Sequence, residues 1–164
     1  MTAMIKNEQM FLPGVVGRME GMFSAIPAAL PLLTLRLALA VPFFKSGLTK
    51  WSGFLELSGG ARYLFTEEFK LHVFGSVYSY PFPVAAATLA GIVEITLPIL
   101  LVLGLGTRFA ALGLLVMTGV IQLTIPEGWA NFHLPWAAMS LALVVYGGGA
   151  LSLDRVLCPQ GGRR

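Results

Sequence analysis

Four apolar stretches of roughly bilayer length, strung along a chain of only 164 residues, constrain this sequence more than anything else in it. They run from about Ala28 to Gly47, from Pro83 to Gly106, from Phe109 to Pro126 and from Leu134 to Leu153. A spanning helix needs about 20 largely apolar residues, with a range of about 17–25. Lipid offers no hydrogen bonds to exposed backbone, and Leu- and Ala-rich runs of this length favour helices over barrel strands. The composition agrees: 56% of residues are hydrophobic and 12% charged, where soluble domains carry about 25% charge. The expected fold is all-α, a transmembrane four-helix bundle. An amphipathic N-terminal segment (1–24), the membrane domain (25–157) and a basic tail (158–164) divide the chain. The first span is read as a permanent helix, because Arg36 breaks the apolar run a cleaved signal needs.

The net charge of +3 does not point to nucleic acid, because the basic residues sit singly between apolar runs, apart from Arg163 and Arg164 at the tail, and form no contiguous face. Their distribution reads instead as topology. Lys6, Arg18, Arg108, Arg155, Arg163 and Arg164 fall on one side, and Lys50, Arg62 and Lys70 on the other. The positive-inside rule then predicts a multi-pass protein with both termini cytoplasmic. Trp51, Tyr78, Tyr80, Trp129 and Trp136 are expected as an aromatic belt at the outer interface.

The long outer loop between the first two spans, Thr49 to Phe82, is predicted to contain a short surface helix. Thr66 would cap it, Glu67 and Glu68 would occupy its first turn, and Phe69, Val73 and Phe74 would form its apolar stripe. Met10, Phe11, Met19, Met22 and Phe23 suggest another amphipathic segment on the inner surface. One cysteine (Cys158) and two histidines (His72, His133) offer no haem, metal or iron–sulfur ligand set.

Two charges interrupt the spans. Arg36 lies roughly 12 Å from the inner boundary and Glu94 roughly 14 Å from it, at 1.5 Å per residue. The helices run antiparallel, so a direct Arg36–Glu94 pair at matching depth is expected. It is either a structural ion pair that fixes helix register or an intramembrane polar site. Ala87, Ala90, Gly91 and Pro98 share the Glu94 face and favour close helix approach. Lys45, Lys50, Gln122 and His133, with Glu127, are secondary candidates for an outward-opening polar pocket. Tyr146 is a further candidate on the inner half. Interfacial anchoring is the simpler reading of both lysines, and cross-helix hydrogen bonding that of Gln122 and Ser140. Arg108 and Asp154 are expected to cap neighbouring helix ends.

The blocks Leu35-Arg36, Phe44-Lys45-Ser46-Gly47-Leu48-Thr49-Lys50-Trp51, Gly91-Ile92-Val93-Glu94, Leu103 to Ala111 and Gly149 to Asp154 resemble, in that order, the DoxX family of membrane proteins. The resemblance implies a four-helix inner-membrane protein linked to quinone-dependent or thiol/oxidative-stress redox systems. This chain would be an accessory subunit, with Arg36 donating to a quinone carbonyl and Glu94 relaying a proton. The expected partners are the bilayer, membrane or peripheral redox proteins, and a second copy of the chain. A non-enzymatic scaffold or assembly factor is the alternative. A small-solute transporter is weaker, because discontinuous helices in paired halves are not evident.

Overall fold

A computed structural model describes residues 14–157. Met10, Phe11, Lys6, Cys158 and the basic tail lie outside the described residues. Residues 14–24 are helical (α1) and exposed throughout. The longer helices are α2 (Ala29–Leu48), α4 (Pro83–Leu103), α5 (Thr107–Thr124) and α6 (Leu134–Tyr146), with short helices α3 (Gly59–Tyr63) and α7 (Leu153–Leu157). Helices α2, α4 and α5 are each long and apolar enough to cross a membrane. Pro83 opens α4 at the first-turn position where its missing N–H costs nothing, and Gly104, at φ +70°, closes it.

The predicted fourth span is shorter than expected at its C-terminal end. Gly147 (φ +75°) and Gly149 (φ +76°) turn the chain out of the helix after Tyr146. At its other end α6 continues directly from a π-helical turn, Trp129–His133, which makes an unbroken helical run of 18 residues.

Helix α2 packs on α4, α4 on α5, α5 on α6, and α6 back on α2. Leu39, Phe43, Leu101, Ala111, Leu114 and Leu143 are buried between them. The faces turned outward are apolar too, with Val41, Leu89, Val116, Leu141 and Val145 exposed. That pattern suits a helix bundle solvated by lipid rather than water.

The 49–82 connector departs from the all-α expectation. It holds two antiparallel hairpins, β1 (Trp51–Gly53) with β2 (Glu56–Leu57), and β3 (Lys70–Val73) with β4 (Ser76–Ser79). The predicted surface helix over 66–74 does not form. Ser58 caps a helical segment that starts earlier, accepting from the Ala61 N–H at 3.1 Å. Thr66 sits inside its π-helical continuation (Leu64–Glu68), with its hydroxyl donating back to the Arg62 and Tyr63 carbonyls. Phe69 is extended, and Phe74-Gly75, both at positive φ, make the tight turn that pairs β3 with β4.

Candidate functional site

The register of α2 against α4 decides which charges meet. A Cβ on Gly47 would lie 2.8 Å from Ile95 and 3.0 Å from the Glu94 carbonyl, and one on Gly91 would lie 2.7 Å from the Trp51 ring. The first missing side chain lets α2 close on α4, and the second lets Trp51 of the connector lie flat against α4. Arg36 lies eleven residues below Gly47 on α2, roughly 16 Å at helical rise. Arg36 and Glu94 therefore do not pair. The sequence arithmetic started both spans at one boundary, whereas α2 is displaced along α4. Next to the Gly47 contact the connector takes over, with Trp51 lying against Gly91 and the short helical segments of the connector packing on α4.

Glu94 instead meets Lys50. The Lys50 ammonium donates to Glu94 Oε2 at 2.6 Å and to Ser46 Oγ at 3.2 Å. Both residues are buried, Lys50 9% and Glu94 3% exposed. This is the one ion pair within salt-bridge distance among the described residues. Lys50 has three protons and spends two on these bonds, and Glu94 Oε1 accepts no hydrogen bond from the described residues. One free donor and one free acceptor remain side by side.

Arg36 is fully buried at the opposite end of the helices. Its guanidinium donates to the carbonyls of Leu101 (3.2 Å) and Val102 (3.4 Å) at the end of α4, and to that of Leu151 in the segment before α7. Asp154 stands beside it and accepts from the N–H groups of Gly106 (2.6 Å) and Thr107 (2.8 Å), capping α5. Burial pushes the Asp154 carboxyl up. The Thr107 and Gly106 N–H groups and the Arg36 charge outweigh burial and hold it below its ordinary value. Arg108 donates to the Val144 carbonyl at 3.1 Å near the end of α6. Asp154 and Arg108 thus cap helix ends as expected, and Arg36 joins them in a backbone clamp.

A cavity of about 1150 Å³ lies among α2, α4, α5 and α6, and Lys50 and Glu94 are on its wall. Most of the lining is apolar, from Phe43, Leu97, Met117 and Trp136, among others. His133 and Glu127 also line it. His133 Nδ1 lies 2.6 Å from Gln122 Oε1, and Gln122 Nε2 donates to the Pro126 carbonyl at 3.2 Å. So the structure brings Lys50, Glu94, Glu127 and His133 to one cavity, with Gln122 behind His133. Lys45 is exposed on the other face of α2, and Tyr146 is exposed at the far end of α6. Trp51 covers Gly91, and Trp136 packs on Phe43 with ring centroids 5.0 Å apart.

Ser46, Phe65, Phe69 and Tyr80 also line the cavity and were not among the site residues expected from the sequence. Ser46 alone carried a signal, four residues before Lys50 on the same helical turn. The three aromatics come from a connector whose fold depends on contacts with α4 and α5.

Comparison with known proteins places these residues. The DoxX family model matches residues 31–127, which include Arg36, Lys50 and Glu94. A Haemophilus influenzae protein, described only as uncharacterized, is 30% identical over 155 residues, covering 85% of this chain and 89% of that protein. No solved structure matches. The buried charges, the small-residue contacts of α2 on α4 and the tight α4–α5 turn all fall within the matched region, and the chain belongs to the DoxX family of membrane proteins.

Proposed function

We propose that this chain is a four-span protein of the cell inner membrane that holds a quinone-type head group beside Lys50 and Glu94. It serves as the accessory membrane subunit of a quinone-linked or thiol/oxidative-stress redox system. The 18-residue run Trp129–Tyr146, about 27 Å long at helical rise, supplies the fourth crossing. Arg18, Arg108 and Arg155 then face the cytoplasm and Arg62 and Lys70 the outside, which keeps both termini in.

The observation that carries the reading is the large apolar cavity with a single buried ion pair on its wall. Such cavities bind ligands by apolar contact and orient them with a few polar groups. Lys50 takes the donor role toward a carbonyl that the sequence assigned to Arg36, because Arg36 is committed to backbone carbonyls. A quinone gains protons as it is reduced, and the Lys50–Glu94 pair holds protons where that oxygen would lie. Electrons come from the partner of the system, a thiol-bearing or other reducing protein.

Purification in mild detergent, followed by solvent extraction, tests this directly. Bound quinone is expected in near-stoichiometric amount, and Lys50→Met or Glu94→Gln should lower it at least tenfold at unchanged yield. Absence of quinone from the wild-type protein, together with no saturable uptake of added benzoquinone, overturns the reading.

The scaffold alternative has its own observation. Phe54 and Phe74 stand almost fully exposed at the two hairpin tips, and Leu55 and Phe74 hold positive φ there. Strain of that kind persists where surroundings or function demand it. Phe54→Ser with Phe74→Ser should then abolish partner co-purification while quinone binding stays intact.

A further inference from the structure

We infer that the ligand enters this cavity sideways from the bilayer, between α4 and α5, and that it is an amphiphile with an uncharged head and one long apolar tail. The inference rests on the Lys50–Glu94 pair being the head-group site.

Between α5 and α6, Ile125, Glu127 and Phe132 line the cavity and are exposed, as is Ser46 on α2, so an opening on that side carries a carboxylate and a hydroxyl. The remaining walls are packed. At the connector end, Phe65, Phe69 and Tyr80 line the cavity as one aromatic cluster, with centroids of Phe65 to the other two 5.2 and 5.4 Å apart. The connector is tied down on α5: Tyr80 Oη lies 2.6 Å from Thr124 Oγ1, and His72 Nδ1 lies 3.2 Å from the Leu123 carbonyl. At the other end Leu101, Leu114 and Leu143 are fully buried. Gly47 against Glu94 and Ile95 seals the α2–α4 seam, Trp51 covers Gly91 beside it, and Phe43 packs on Trp136 on the α2–α6 side.

The α4–α5 side differs. Leu89, Leu112 and Val116 line the cavity and are also 62%, 47% and 63% exposed on the surface. A side chain that belongs to both surfaces marks a mouth. All three are apolar, so the mouth faces acyl chains rather than water.

Size and charge narrow the ligand. The cavity exceeds the roughly 300–1,000 Å³ of ordinary small-molecule pockets. A head group alone leaves most of it unfilled, and a tail leading out of the mouth fills it. The ion pair has no net charge and offers one donor and one acceptor. That suits a carbonyl or hydroxyl and disfavours a phosphate, which would meet the Glu94 carboxylate.

The test uses the full chain in lipid nanodiscs with two probes, decyl-substituted dimethoxymethyl-benzoquinone and the same ring without its tail. Bound quinone is counted after extraction. The wild type should bind the tailed probe at least tenfold more tightly. Leu89→Trp with Val116→Trp, both at exposed positions, should erase that advantage and leave the ring's affinity within twofold. Equal binding of the two probes by the wild type, or a plugged variant that keeps the tailed probe's advantage, overturns the lateral route. In that event Lys50→Met still weakens both probes, so the head-group reading survives. If neither probe binds the wild type, the head-group reading falls and takes the route with it. Competition by a single-chain lysophosphatidate stronger than by the tailed quinone overturns the uncharged head.

Discussion

Arg36 gives its hydrogen bonds to backbone carbonyls, whereas Lys50 gives one to a carboxylate and keeps a proton for the cavity. The two cations should therefore respond differently to mutation. Residues without shared partners add their effects within about 0.5 kcal/mol, while contacting charges couple by about 0.5–3 kcal/mol. Unfolding in detergent should show Arg36→Leu and Glu94→Gln to be additive, and Lys50→Met and Glu94→Gln to be coupled. Arg36→Leu alone should cost about 2–3 kcal/mol, since it strips charged hydrogen bonds from buried carbonyls, and should leave quinone affinity within twofold. Additivity of the Lys50–Glu94 cycle counts against the pair. At this scale the sequence marked the right residues, because a charge within an apolar run has to be explained. It mispaired them, because depth counted from span ends ignores a slide of one helix along another. Lys50 looked like an anchor for the same reason: it follows the last turn of α2, and only the displacement carries that terminus inward to Glu94.

Helices α4 and α5 are joined by Gly104-Leu105-Gly106, and the joint tolerates little change. A Cβ on Gly104 would collide with the Arg36 guanidinium, and its φ of +70° disfavours any side chain. Gly104→Ala should lower stability by more than about 2 kcal/mol, as strain and collision act together. Gly91→Leu should cost about 1–3 kcal/mol through the Trp51 contact. Asp154 gives the joint a pH dependence. Its folded-state pKa lies below the ordinary value of about 3.9, so the unfolded chain binds the extra proton. Its contribution is complete above that value and is lost as the pH falls through the lower folded one. Asp154→Asn should cost about 1 kcal/mol at neutral pH, as loss of a helix cap does, and should flatten the acid limb of the melting-temperature profile. An unchanged acid limb contradicts this account. Long apolar helices and their caps were legible from local pattern, down to Arg108 and Asp154. The connector was not, because its Phe69, Val73 and Phe74 fit a helical stripe by spacing alone while Phe74-Gly75 form the turn of a hairpin.

Across the whole molecule, the proposed topology puts Arg18 and Arg155 on one side of the membrane and both hairpin tips on the other. With Cys158 replaced by Ser, a cysteine at Phe74 should react with an impermeant maleimide in intact spheroplasts, and one at Arg155 only in inverted vesicles. The reverse pattern would invert the assignment. The Arg36 clamp also has a consequence for how the protein is made. Its acceptors lie 65, 66 and 115 positions downstream, so the guanidinium is fully satisfied only once Leu151 has been made. In the proposed topology the nascent chain carries an unpaired cation into hydrocarbon until α4 is made, a burden of about 2.5–3.5 kcal/mol on insertion scales, and a half-satisfied one until Leu151 follows. A chain cut short before Leu151 would keep part of that burden for good, leaving quality-control proteases a mark by which to tell the unfinished molecule from the finished one.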